Sequence, residues 1–263
     1  MLFSNYERYA YNKAPLIETI CQLRFPAILN IGAKEPAEFQ EAIRHQFPRY
    51  AVKTEQLPPR LVNPGTPQQK LEQQPPIQNY NFISEDNLWK INLTRNFIAL
   101  STLRYTTWED FAQRLDKPLA QFLQIYQPAP FERIGLRYVN AFSRKRLGLE
   151  SSAWNDLLEP PFLGPLDEED VVESATAKCS IDLDTRLAGD IHMKMHAGPG
   201  LLGGGKQDPE VKFILDGDFS AQGQITPDRV PERLEAMHQY AVRLFLGSMT
   251  NTLFTALGPV DRA

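Results

Sequence analysis

The segments best suited to chemistry in this 263-residue chain are a glycine-rich loop, a strand with histidines, and two apolar strands that each carry an arginine. The loop, Gly200 to Gln207, nearly matches the phosphate-binding pattern G-x-x-x-x-G-K-[ST]. That pattern needs a hydroxyl after the lysine and a helix after the loop. Here Gln207 replaces the hydroxyl and a strand is predicted to follow, so a flexible hairpin loop is the favoured interpretation.

Four polar side chains alternate along one predicted strand and would therefore share a face: Asp190, His192, Lys194 and His196. Asp216 and Asp218 lie on the next predicted strand, where we expect them to face this group. Imidazole and carboxylate groups can bind Zn²⁺. However, His192 and His196 would be about 13 Å apart at a rise of ~3.3 Å per residue. A solvated polar face is therefore favoured over a metal site.

Arg24 and Arg137 lie at matching places in two similar apolar strands. Glu18 shares a face with Arg24 by strand alternation, whereas Glu132 does not share one with Arg137. Each arginine is either half of a buried structural ion pair or a recognition group for a carboxylate or phosphate. The structural interpretation is favoured for Arg24, and both interpretations stay open for Arg137.

These two arginines, Tyr138 and His238 make up the predicted ligand-binding set. His238 borders the apolar stripe of the last predicted helix, where a hydrogen-bonded histidine at the edge of the core is favoured over a catalytic base. Cys21 and Cys179 lie in strands predicted to be buried, which is typical of free cysteine. The sequence predicts no catalytic residue, no metal and no cofactor.

The composition excludes several classes of protein. Hydrophobic residues make up 42% of the chain and charged residues 23%, which excludes a disordered chain, a collagen-like repeat and a coiled coil. The net charge is −4, whereas nonspecific nucleic-acid binders carry a basic excess. No apolar run approaches the ~20 residues that cross a bilayer, and two cysteines are too few for a disulfide scaffold. We therefore expect a cytoplasmic protein.

Residues 1–128 are predicted to form a first α+β unit. Its predicted elements are a strand at 15–25, a helix at 35–47, strands at 80–84, 88–93 and 97–103, and a helix from Trp108. Thr107 is the predicted cap of that last helix, and Pro118 is predicted to kink or break it. The segment 55–78 contains six prolines and six glutamines and predicts a long surface loop, which is either functional or a tolerated insertion.

Residues 129–263 repeat this order of elements. The predicted elements are a strand at 131–142, a short helix near 154–158, strands at 171–183, 187–196 and 211–219, and a helix at 228–246 that continues towards Leu253. The opening strands read E-x-I-x-x-L-R-F at 18–25 and E-x-I-x-L-R-Y at 132–138. Two tandem βαβββα units are therefore predicted, each an antiparallel sheet with a helix packed across it.

This order of elements resembles the TATA-box-binding-protein-like and helix-grip folds. The resemblance concerns fold and not function. In the helix-grip proteins the space between sheet and helix can hold a small apolar ligand, whereas the TATA-box-binding proteins contact DNA with the open sheet face.

The chain also resembles a sporadically distributed family of uncharacterised prokaryotic proteins of about this length. The residues that carry this resemblance are Pro15 to Glu18, Leu23 to Phe25, Ile134 to Asn140, His238, and Leu244 with Phe245. The resemblance implies no known activity.

The leading functional hypothesis is a non-enzymatic binding protein for a small ligand or a protein partner. The alternative is a nucleic-acid-interacting protein associated with defence or a toxin–antitoxin pair, which the duplicated sheet and the basic turn Arg144 to Arg146 would support. An enzyme with a dispersed site is a third hypothesis. The sequence does not predict the oligomeric state.

Overall fold

The computed structural model describes residues 2–5, 9–56, 58–74, 76–205 and 208–260. The strands in these residues are β1 Ala10–Tyr11, β2 Leu16–Arg24, β3 Arg49–Glu55, β4 Arg60–Val62, β5 Lys70–Glu72, β6 Ile77–Ile83, β7 Trp89–Leu93, β8 Phe97–Thr102, β9 Phe131–Phe142, β10 Ile181–Arg186, β11 His192–Leu201, β12 Val211–Ile225 and β13 Pro259–Val260. The helices are α1 Leu29–Ala33, α2 Ala37–Ile43, α3 Trp108–Tyr126, α4 Arg144–Leu147, α5 Trp154–Leu157, α6 Pro160–Leu163, α7 Val230–Gly247 and α8 Asn251–Leu257. Among the described residues, no helix is both long and apolar enough to cross a membrane.

The chain divides into two compact units. Unit 1 comprises Met1–Ile20, Ile134–Gln222 and Asp228–Ala263, and unit 2 comprises Cys21–Arg133 and Gly223–Pro227. Strands β2, β9 and β12 each begin in one unit and end in the other. The predicted domain boundary between residues 128 and 129 and the tandem duplication stay predictions.

Unit 2 contains an antiparallel sheet with the strand order β8-β7-β6-β3, preceded by the second half of β2. Its register aligns Phe82 with Ile91 and Ile91 with Leu100, and all three side chains are fully buried. The ring of Phe39 on α2 lies 5.3 Å from that of Phe82. The predicted meander over β6, β7 and β8 is therefore confirmed, because alternate residues bury one face of each strand against the helices.

Helix α3 begins where the sequence predicts. The Thr107 hydroxyl accepts a hydrogen bond of 3.1 Å from the backbone N–H of Asp110, which satisfies one donor of the first turn. The predicted break at Pro118 is wrong, since the helix continues to Tyr126. Proline removes one backbone donor, but the Pro118 ring is buried on the apolar face of the helix. Burial of this ring offsets the lost hydrogen bond.

The proline- and glutamine-rich segment 55–78 is a long β-hairpin and not an irregular loop. Glu55 pairs with Ile77 in the β3–β6 ladder and Arg60 pairs with Glu72 in the β4–β5 ladder, so both ladders share one register. Between the ladders the Gln56 and Gln74 amides bond across the hairpin, as described below. Nearly all described residues in the distal part of this hairpin, 56–74, are exposed.

Two side-chain amides connect the ladders where prolines interrupt them. Gln56 Nε2 donates to the Gln74 backbone oxygen at 2.9 Å, and Gln74 Nε2 donates to the Pro58 oxygen at 2.7 Å. Because proline has no backbone N–H, it cannot donate to a ladder. The glutamines supply the missing donors, which is how so proline-rich a sequence keeps its strand register.

Unit 1 contains a sheet with the strand order β10-β11-β12-β9, followed by the first half of β2. Its β10–β11–β12 meander is antiparallel, as predicted. Helix α7 lies against the apolar face: a Cβ on Gly217 of β12 would be only 3.2 Å from Leu244 Cδ2. Glycine at this position therefore allows the helix to approach the strand closely.

The predicted boundaries of two strands in unit 1 are wrong. Strand β10 begins at Ile181 and not at Val171, and residues 184–186, which separate the two predicted strands 171–183 and 187–196, lie within β10. The chain instead reverses at Ala188–Asp190, where Gly189 and Asp190 have φ of 70° and 58°. Glycine and aspartate tolerate this left-handed conformation best. Asp190 therefore lies in the turn and not on the polar strand face.

Candidate functional site

A shallow cleft of about 360 Å³ lies on the face of the unit 1 sheet opposite α7, where side chains of β9, β10, β11 and β12 meet. Its polar lining residues are Arg137, Asp182, Asp184, Lys194, His196, Asp216 and Asp218. The strand register creates this grouping, because it aligns Asp182, His196 and Asp216 in one row across three strands and Asp184, Lys194 and Asp218 in the next. The predicted polar face, with Asp216 and Asp218 facing β11, is confirmed.

Charged groups pair between β10 and β11. His196 Nδ1 lies 2.8 Å from Asp182 Oδ1, and Lys194 Nζ lies 3.3 Å from Asp184 Oδ2. His192 Nε2 lies 2.5 Å from the other oxygen of Asp184. Hydrogen bonds from Lys194 and then His192 hold the pKa of the Asp184 carboxyl below its usual range. The carboxylate of Asp184 is therefore the stable form on this face.

Arg137 forms a two-point ion pair across the cleft with Asp216 of β12. Its Nε donates to Asp216 Oδ1 at 2.8 Å, and its Nη2 donates to Asp216 Oδ2 at 2.5 Å. These hydrogen bonds raise the pKa of the Arg137 guanidinium. Its side chain is 44% exposed, against 20% for Asp216. Arg137 therefore lines an open cleft, as the recognition hypothesis requires, but it also has an acidic partner, Asp216, that the sequence did not indicate.

Arg24 does not fit the structural ion pair predicted for it. It ends β2 as an exposed residue, while its neighbours Leu23 and Phe25 are buried. Strand alternation directs successive side chains to opposite faces, so an arginine between two core residues faces solvent. The expectation that Arg24 is buried against a carboxylate is wrong.

Tyr138 of β9 and His238 of α7 form a buried pair. The Tyr138 hydroxyl lies 2.9 Å from His238 Nδ1, and both residues are buried. Tyr138 directly follows Arg137 in β9, so its side chain points to the helix-covered face and not into the cleft. The structure thus unites two of the four predicted site residues in the core, places Arg137 in the cleft and places Arg24 in unit 2.

Asp182 and Asp184 are the cleft residues that the sequence interpretation missed. The alternation I-D-L-D at 181–184 was a usable signal, because it is typical of a strand with one polar face. The predicted strand ended at residue 183, so Asp184 was not placed on this face. Without β10 in its correct register, the acidic partners of the two histidines could not be predicted.

The basic segment at 144–146 has largely structural contacts. It lies in α4, and the Arg144 guanidinium lies 4.2 Å above the Trp154 ring and 2.9 Å from Glu173. Lys145 donates its backbone N–H to Glu210 at 3.0 Å. These contacts fix the fold of this corner and leave Arg144 committed to neighbours within unit 1.

Lys212 is a buried cation held by two acids. It ion-pairs with Asp208, and its Nζ lies 3.2 Å from Glu210 Oε2. Burial lowers the pKa of the Lys212 ammonium, but the hydrogen bonds with Asp208 and Glu210 outweigh this effect and the pKa is raised. Such pairing is what a buried charge requires.

Other sequence candidates for chemistry do not form a site in the described part of the chain. The described residues contain no group of three or more His, Cys, Asp or Glu side chains that could hold a metal ion. Burial raises the pKa of the Cys21 thiol to about 12, so this thiol is not a nucleophile near neutral pH. In the glycine-rich loop, 202–205 form a 3₁₀ turn, and Lys206 and Gln207 lie outside the described residues.

Comparison with known proteins adds no relative to this picture. No protein-family model matches the sequence, and the search of curated proteins finds no significant match.

Proposed function

We propose that this chain is a non-enzymatic binding protein and that its polar cleft binds a small ligand with a cationic group, such as an amine or a guanidinium. The observation that supports this proposal is the convergence of four aspartates from β10 and β12 on one cleft that contains only one arginine and one lysine. With neutral imidazoles these groups leave the cleft with a net charge of −2. A cation entering the cleft would meet aspartate side chains that the strand register already positions.

An anionic ligand fits this cleft poorly. Asp216 already accepts hydrogen bonds from two nitrogens of Arg137, so an anion would have to displace a two-point contact. It would also lie beside Asp184 and Asp218, and like charges repel across such short distances. The cleft therefore favours the cation over the carboxylate or phosphate group first considered for Arg137.

The cationic-ligand proposal can be tested by isothermal titration calorimetry at low salt with 1,4-diaminobutane, arginine amide, acetate and phosphate as probes. We expect binding of at least one cation and a loss of about tenfold or more in affinity in Asp182→Asn/Asp184→Asn, because charge-assisted contacts are lost. Asp228→Asn, at an exposed position outside the cleft lining, is the matched control and should bind like the parent. Tighter binding of the anions, or equal losses in both variants, would contradict the proposal.

The nucleic-acid hypothesis gains no support from these contacts. Arg144 of its basic segment is committed to Trp154 and Glu173, and the cleft on the sheet of unit 1 presents carboxylates, which repel phosphates. A salt-dependent shift of a labelled DNA or RNA oligomer would reverse this conclusion. The same titration series can include such an oligomer.

We also propose the tandem duplication as the origin of the architecture. The antiparallel meanders β6-β7-β8 and β10-β11-β12 and the long helices α3 and α7 that follow them support it. The sequence likeness of the strands at 18–25 and 132–138 supports it independently. A crystal structure in which the two predicted repeats fail to superpose would contradict it.

A further inference from the structure

Strand β3 is an exposed edge strand in unit 2. Within the described residues it pairs only with β6, over all seven of its residues and without a bulge. Six of these seven residues are exposed, and only Glu55 is partly buried. One side of β3 therefore presents a row of backbone N–H and C=O groups to solvent.

This edge lacks most features that protect natural edge strands. It has no proline and no bulge and it is not short, and its charged residues are Arg49, Lys53 and Glu55. A strand of this kind can accept another strand beside it, because the added backbone satisfies the outward donors and acceptors. The edge is thus chemically suited to β-sheet extension.

The apolar face of unit 2 also reaches this edge and ends there. Tyr50 and Val52 pair with Phe82 and Tyr80, which are buried, but they are themselves 37% and 42% exposed. The Tyr50 ring lies 5.4 Å from the Phe82 ring. Apolar surface that continues from the core into solvent is the part of the edge that an added strand would cover.

We propose that the partner at this edge is a second copy of the same chain, whose β3 pairs antiparallel with β3 around a two-fold axis at Val52. Only alternate residues of an edge strand direct their backbone groups outward. In self-pairing these outward residues must face one another, so the axis must pass through a residue and not between two. The axis at Val52 aligns the full length of both strands.

The charges of β3 select this axis over its neighbours. Around Val52, Arg49 of each copy faces Glu55 of the other, and no two like charges face each other. Around Ala51, Arg49 would instead face Lys53. Around Lys53, the two copies of that lysine would face each other. Opposite charges stabilise a cross-strand pair and like charges destabilise it, so β3 is complementary to itself only in the Val52 register. The sheet of unit 2 then continues into the second copy through an isologous interface.

The test is a charge exchange measured by sedimentation equilibrium on the full chain. Arg49→Glu and Glu55→Arg should each weaken dimerisation about tenfold or more, because both symmetric ion pairs become repulsive. An equimolar mixture of the two variants should form a heterodimer as stable as the parent dimer, since each acidic edge then faces a basic one. The double variant Arg49→Glu/Glu55→Arg should also regain dimerisation.

The mixing experiment separates pairing from folding. Arg49 also donates to Asn87 at 2.8 Å within its own chain. Mixing would not repair a folding defect caused by the loss of this contact. The matched control exchanges Arg44 and Glu41, an ion pair of 2.9 Å on the α2 side of unit 2. Arg44→Glu and Glu41→Arg should leave dimerisation unchanged.

Disulfide crosslinking tests the register itself. In the proposed dimer the two Val52 Cα atoms are ~4.5–5.5 Å apart, which is within the range of a disulfide. Val52→Cys should therefore crosslink under mild oxidation. Lys53→Cys should not, because its two copies would be roughly 8 Å apart at a strand rise of ~3.4 Å per residue. A parent that stays monomeric at the highest attainable concentration, a dimer insensitive to both charge variants, or preferred crosslinking through residue 53 would overturn the proposal.

Discussion

The cleft of unit 1 and the β3 edge of unit 2 both carry charged side chains that can pair across strands, but they differ in whether a neighbouring strand of the same chain supplies the partner. On the sheet face that carries the cleft, His192, Lys194 and His196 each contact an aspartate on the neighbouring strand β10. At the edge, Arg49 and Glu55 lie at opposite ends of one strand and have no neighbouring strand on the outer side within the described residues. The first arrangement completes a charge network within one chain, whereas the second is complementary to a copy of itself.

The difference shows how an antiparallel sheet can separate two kinds of recognition. Side chains on a sheet face recognise a ligand through charge and shape, while a sheet edge recognises a partner first through backbone hydrogen bonds. The cleft therefore depends on ionisation of its acids, and the edge depends on register. Each of the following predictions tests one side of this contrast.

The largest expected difference is between Phe82 and Tyr50, whose rings are in contact. Phe82 is fully buried behind the edge, so Phe82→Ala should lower the free energy of unfolding by ~3–5 kcal/mol through the cavity it leaves. Tyr50 is 37% exposed, and Tyr50→Ala should cost about 1 kcal/mol in the monomer. Urea unfolding at dilute concentration measures both. Equal costs would mean that β3 belongs to the core and is not an edge open to a second copy.

A smaller difference is expected between the two arginines of the predicted site. Arg137→Met removes both hydrogen bonds to Asp216 and should cost about 1 kcal/mol, since solvent screens a half-exposed ion pair. Arg24→Met changes an exposed side chain and should stay within ~0.5 kcal/mol of the parent. Thermal and urea unfolding of both variants provide the measurement. A costlier Arg24→Met would restore the structural role that its exposure argues against.

The smallest expected effect is a difference in acid response. The pKa of Asp184 is lowered mainly by Lys194, and that of Asp86 mainly by the neutral Ser84 hydroxyl. A lowered pKa stabilises the folded chain above the carboxyl pKa of the unfolded chain, ~3.9, and this stability is lost as the pH falls through the folded value. Asp184→Asn and Asp86→Asn should each make the acid loss of stability shallower.

Salt distinguishes the two carboxylates. High salt screens an exposed ion pair, so NMR titration in ~1 M NaCl should raise the pKa of Asp184 towards its ordinary value and change that of Asp86 less. In Lys194→Met the pKa of Asp184 should rise at low salt as well. A pKa of Asp184 that does not change in ~1 M NaCl or in Lys194→Met would contradict an electrostatic origin of its lowered value.

Local patterns predicted much of the fold. The apolar residues Phe39, Ile43 and Phe47 predicted a buried helix face and are buried, and Thr107 predicted the start of α3. Both features depend on residues within a few positions of each other, so the sequence alone is sufficient. Strand β3 was missed for the converse reason: its apolar alternation is limited to Tyr50 and Val52, which is too short a pattern to indicate a strand.

The cleft was only partly predictable because its parts are distant in sequence. Alternation correctly placed His192, Lys194 and His196 on one face, and it required no knowledge of the neighbouring strands. The partner of Arg137 is Asp216, 79 positions away. Only the pairing of whole strands determines which acid meets which base.

By itself, the sequence determined the mixed helical and antiparallel character of this protein, because the period of apolar residues reports local geometry. It also determined the complementarity of β3 to itself, which is contained in seven consecutive residues. The tertiary structure alone decided that Arg137 opens into a cleft while the adjacent Tyr138 is buried against His238. Alternation states only that these two side chains point in opposite directions, and the packing of α7 on one face decides which of them is buried.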